Sequence, residues 1–90
     1  MTPRRKVQDP TTTAFQFLHT EVNTGKVFAK IALKSTSLEK IARNRSRARL
    51  AHDTVRRFLE KVSLTKSEWH DIQDGLQDLK ADLHRLGEVV

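Results

Sequence analysis

Ninety residues allow one domain, and a chain this short buries a smaller share of its surface than a larger domain does, so added core from a second copy would help it. Cysteine is absent, which excludes disulfides and thiolate-bound metals as staples and fits a reducing cytoplasm. The net charge of +6 and pI near 10.2 favour acidic partners or simple solubility and say nothing about fold.

Residues 1–10 are charged, polar and closed by Pro10, the composition of a flexible basic tail, and residues 11–90 are read as one helical domain. Arg4-Arg5-Lys6 resembles the charged head of a signal peptide, but the polar run Val7-Gln8-Asp9-Pro10-Thr11-Thr12-Thr13 follows where an apolar stretch is required. Neither an export signal nor a membrane span is expected, and the expected location is cytoplasmic.

The first helix is expected near 13–34. Asp9 with Pro10 in the first turn, or Thr13 with Gln16, would start it. Phe15, Leu18, Val22, Gly25, Ala29 and Ala32 form one stripe at helical spacing, and Phe17, Thr24, Phe28 and Ile31 form a second stripe beside it. So wide an apolar arc suits a middle helix with two neighbours, or a helix that also meets another molecule. Asn23-Thr24-Gly25 could be written as the turn of a short hairpin. Helix is preferred, because Gly25, Ala29 and Ala32 share a face on which small residues let another helix approach, and an interior glycine costs only about 1 kcal/mol relative to alanine.

Ser35-Thr36-Ser37 is the first break, and Thr36 with Glu39 is written as a capping box for a second helix near 37–62. Ile41, Ala48, Val55, Leu59 and Val62 define its apolar side, joined by Leu38, Ala51 and Phe58. Asn44 falls on that side, where a lone amide is expected to fix register with a neighbour. Ser63-Leu64-Thr65 is the second break. Thr65 with Glu68 is a further capping box, opening a third helix near 65–86 whose seam is Trp69, Ile72, Leu76, Leu79, Leu83 and Leu86. Leu64 and Trp69 sit where a hydrophobic staple would clamp its start, and Gly87 is its left-handed stop. Both connections are short, so consecutive helices run antiparallel. The expected fold is an all-α antiparallel three-helix bundle, or a long hairpin and third helix completed by dimerisation.

The pattern offers no catalytic constellation. The histidines at 19, 52, 70 and 84 are never three or four apart, so one helix face cannot supply a zinc pair. His19-Thr20-Glu21 lacks the cysteines that would complete a deaminase site, and Gly25-Lys26 lacks the earlier glycine and following hydroxyl of a phosphate loop. His70 with Asp74 supplies two ligands where more are needed, and His52 reads as a satisfied histidine at the edge of the core. No nucleophile has a base at readable spacing, so no enzyme, cofactor, metal or small-molecule substrate is expected.

Charge is the unusual feature. Between Thr36 and Val62 stand eight basic residues against three acidic ones, including Arg43, Arg45, Arg47, Arg49, Arg56 and Arg57; between Thr65 and Leu86 five acidic residues face three basic ones. Three uses compete. The arginine stems could cover the rim of the core with their heads paired to acids on neighbouring helices. The arginines could contact phosphates of RNA or DNA. Or the acidic stripe Asp71, Asp74, Asp78 and Asp82 could meet arginines of another molecule. Phe17, Phe28 and Ile31 are the candidate self-association face, as an exposed apolar patch would be. The function expected is a non-catalytic module for protein–protein interaction or self-association, with another protein or a second copy as partner; the alternative is nucleic-acid binding through the arginine-rich second helix.

Overall fold

Pro10 opens the first helix at no cost to its hydrogen bonds, since the N–H it lacks would find no partner in a first turn anyway. The computed structural model describes residues 10–90, with side chains described from residue 13; of the tail expected at 1–10, Pro10 is already helical and residues 1–9, with Arg4, Arg5 and Lys6, lie outside the described residues. Three helices follow one another: α1 Pro10–Lys34, α2 Leu38–Leu59 and α3 Lys66–Arg85. α1 passes through Asn23-Thr24-Gly25 without interruption, so the hairpin is not formed.

The caps show how closely local sequence governs the breaks. Thr65 and Glu68 form the expected box: the Thr65 N–H donates to Glu68 Oε1 at 3.0 Å, and the Glu68 N–H donates to Thr65 Oγ1 at 3.1 Å. At α2 the expectation misses by one residue. Ser37, not Thr36, is the cap, its Oγ accepting from the Lys40 N–H at 3.3 Å, while Ser35 Oγ accepts from the Ser37 N–H at 3.2 Å. α2 also ends at Leu59 rather than 62, in a turn closed by Lys61 N–H to Phe58 C=O at 2.9 Å. Val62 still packs on the core from outside the helix. Gly87 takes φ +89°, and Glu88 N–H to Leu83 C=O (2.9 Å) with Gly87 N–H to His84 C=O (3.0 Å) completes a Schellman stop.

α1 is the middle helix, packed against both others, whereas α2 and α3 touch each other least. The path is up-down-up. Phe17 meets Phe58 and Phe28 meets Arg47, so α1 and α2 are antiparallel, while Lys26 meets Asp78 and Lys30 meets Asp82, so α1 and α3 are parallel. Leu18, Val22, Val55, Ile72 and Leu76 fill one half of the core; Ala29, Ala48, Leu79 and Leu83 fill the other. The first stripe of α1 is thus spent on both neighbours. Gly25 lies close against both neighbours: a Cβ there would stand 2.8 Å from Leu79 Cδ2 and 2.9 Å from Ala51 Cβ.

Two residues expected in the core are exposed instead, and a third, Asn44, is buried without the partner expected of it. Leu38 is exposed in the first turn of α2, and Trp69 is 45% exposed in the first turn of α3 with its ring beside His70 at 5.6 Å, because each lies at an end its neighbours do not cover. Asn44 is buried as expected, but its Nδ2 donates to Lys40 C=O at 2.9 Å, one turn back in its own helix. It satisfies itself locally and reads no neighbour's register.

Candidate functional site

The six candidate arginines divide by the side of α2 on which they fall. Arg45 and Arg49 face α3 and are consumed there. Arg45 donates from a terminal guanidinium nitrogen to the Leu86 carbonyl at 3.1 Å, and its Nε forms an ion pair with Glu88 at 3.0 Å. Arg49 donates to Glu88 at 2.8 Å and, through Nε, to Asp53 at 2.9 Å, and Asp53 also meets His52 Nδ1 at 3.0 Å. Two guanidinium groups therefore hold the one carboxylate that follows the α3 stop, binding the last turn of α3 to the middle of α2. Partial burial pushes the Asp53 carboxyl up, but hydrogen bonds from His52 and Arg49 and the charge of Arg49 outweigh it, and the group sits below its usual range. The same bonds to Asp53 and Glu88 raise Arg49.

The other side of α2 is left unpaired. Arg47 lies over the Phe28 ring at 5.5 Å from its centroid, a cation–π contact. Arg43, Arg57 and Lys61 on this side are exposed, as is Arg56 on the flank of Arg45 and Arg49, and their side chains make no hydrogen bond or ion pair among the described residues. Of the six candidates the structure joins Arg45 with Arg49, sets Arg43 and Arg47 on the opposite flank, and leaves Arg56 and Arg57 apart in the last turn.

The acidic stripe is largely spent within the molecule. Asp82 is buried between Lys30 Nζ at 2.9 Å and Arg85 at 2.6 Å, and Asp78 reaches Lys26 at 3.5 Å. Only Asp71 and Asp74 of that stripe are exposed with no ion pair among the described residues. These lysine pairs occupy the α3 side of α1, which is why the second apolar stripe of α1 does not meet α3.

That second stripe instead borders α2 and stays half in water. Phe17 is 45% exposed and Ile31 37%, with Phe28 and Thr24 intermediate. Phe58 of α2, itself 39% exposed, meets Phe17 edge to face at a centroid distance of 5.5 Å. Phe17, Phe28, Ile31 and Phe58 thus line one side of the α1–α2 pair, and Arg47 joins them by its stack. Phe58 and Glu88 were not among the candidate residues. Phe58 was legible from its place on the flank of the apolar side, whereas nothing local marks Glu88 as a partner of arginines some forty positions earlier.

His52 is buried and hydrogen-bonded to Asp53, the satisfied histidine expected of it. Among the described residues no three His, Asp or Glu side chains converge to hold a metal ion, and no helix is long and apolar enough to cross a membrane. Fold and surface together define a small all-α bundle with one side closed by ion pairs and one side apolar and edged by free cations. Comparisons with protein-family models, with curated proteins and with solved structures return no match.

Proposed function

We propose that this chain is a non-catalytic helical interaction module that binds another protein, or a second copy of itself, through the α1–α2 face. The observation that carries the reading is the exposure of Phe17, Ile31 and Phe58 on one side of a bundle whose other apolar stripe on α1 is packed on its core. Aromatic and aliphatic side chains left half in water on one face are the usual mark of a contact surface. Nucleic-acid binding is the weaker alternative, since Arg45 and Arg49, two of the four arginines in the run Arg43 to Arg49, already hold carboxylates of the same chain.

Affinity capture with wild type and with the double variant Phe17→Asp, Ile31→Asp tests the reading. The variant is expected to keep its helicity by circular dichroism and to lose the polypeptides, or the second copy, that wild type retains. Equal capture by both proteins, or recovery of salt-removable nucleic acid in place of protein, would defeat it.

A further inference from the structure

Resting on that reading, we infer that the α1–α2 face takes an amphipathic helix with acidic flanks, supplied by a different protein and not by a second copy of this chain. From Phe17 to Ile31 the apolar row spans fourteen residues of α1, about 21 Å, the length of a four-turn helix. Such a row between two antiparallel helices is the surface on which an amphipathic helix lays its apolar side.

Its borders set the charge of the occupant. Lys40, Arg43 and Lys61 lie along the same side of α2, exposed, with no side-chain hydrogen bond or ion pair among the described residues. The Arg47 guanidinium carbon lies over the Phe28 ring, and its N–H groups make no hydrogen bond among the described residues. Against these four cations stand Glu21 of α1, half-buried between Phe17 and Phe28 along the helix, and the exposed Glu39 and Glu60 at the two ends of α2, while Asp53 of α2 is already held by Arg49 and His52. The unpaired cations beside the apolar row, Arg57 of the same flank included, outnumber these carboxylates, whereas on the α3 side Arg45 and Arg49 are paired to Glu88 and Asp53 and Arg56 alone is left free among the described residues.

A two-fold pair of this face would set the four cations against their own copies, an arrangement that interfaces avoid. A head-to-tail contact would need another copy to present an apolar stripe with acidic flanks. Among the described residues α3 is the one acidic helix, and its Ile72, Leu76, Leu79 and Leu83 are buried in its own core while Asp78 and Asp82 are paired to lysines of α1. Its free acids Asp71 and Asp74 have only the half-exposed Trp69 near them, which is no apolar stripe. A helix of another protein, with leucine or phenylalanine on one side and glutamate or aspartate on its flanks, fits both the row and its border.

Fluorescence anisotropy with three labelled probes tests this: a stapled sixteen-residue helix with leucines at positions 1, 5, 8 and 12 and glutamates on both flanks, the same helix with lysines on the flanks, and a single-stranded oligouridylate. The expected result is binding of the glutamate helix at least tenfold tighter than of the lysine helix, weakening with salt. The double variant Lys40→Glu, Arg43→Glu, whose side chains hold nothing in the folded chain, is expected to keep its helicity and reverse that preference. Equal binding of the two helices, no binding at millimolar peptide, or tighter binding of the oligouridylate overturns the inference. If light scattering then shows a dimer that Phe17→Asp, Ile31→Asp dissolves, the interaction module stands with a second copy as partner and only the acidic helix is lost.

Discussion

Gly25 shows two residue-scale effects with opposite signs. In isolation, alanine in a helix interior is favoured over glycine by about 1 kcal/mol. Here the added methyl would stand within 3 Å of Leu79 and of Ala51, and Ala51 has no flexible end to move away. Overpacking of a dense core costs about 1–3 kcal/mol, so Gly25→Ala is expected to lower stability in urea unfolding in spite of its gain in propensity. A stabilised variant would mean the three helices are not held so close. The same scale separates what was legible in the sequence from what was not. Gly25 was recognisable as a point of close approach because Ala29 and Ala32 share its face. Asp82 was not recognisable as buried, since a carboxylate at the edge of a helical seam reads alike whether it meets solvent or the Lys30 and Arg85 that enclose it.

The element boundaries follow from which hydroxyl or glycine finds an unpaired backbone group. Three hydroxyl residues in a row stand before α2, so periodicity could place the cap only to within a residue; Glu39 favoured Thr36, yet the backbone turns at Ser37. Ser37→Ala is accordingly expected to cost about 1 kcal/mol in thermal or urea unfolding and Thr36→Ala close to nothing. The reverse order would restore the cap to Thr36. α3 was easier to read, since Thr65, Glu68 and Gly87 each stand alone at an end and admit one arrangement. What no local pattern could supply is the attachment of its last turn: Arg45 and Arg49 reach Glu88 and the Leu86 carbonyl only because the fold brings the C-terminal end of α3 beside the middle of α2.

At the scale of the molecule, the placement of α1 decides the surface. α1 is touched on one side by the acids of α3 and on the other by α2, and its first stripe fills the space between them. Two apolar stripes on one helix were visible in the sequence, and so was the choice between a second neighbour and an outside partner. The sequence lacked the position of the lysine–aspartate pairs, which turn the charged side of α1 toward α3 and leave Phe17 and Ile31 at the open edge of the α1–α2 pair. The bundle is accordingly wider than it is deep, with extents of 50 × 29 × 17 Å.

Site-resolved photo-crosslinking tests the central claim most directly. Photoreactive p-benzoylphenylalanine placed at Phe17 or Ile31 samples the proposed face, and at Asp74 it samples the outer side of α3. Polypeptide adducts are expected from positions 17 and 31 in cells that produce the protein, and none from position 74. Adducts from position 74 alone, or a face at 17 and 31 that captures no polypeptide, would contradict it.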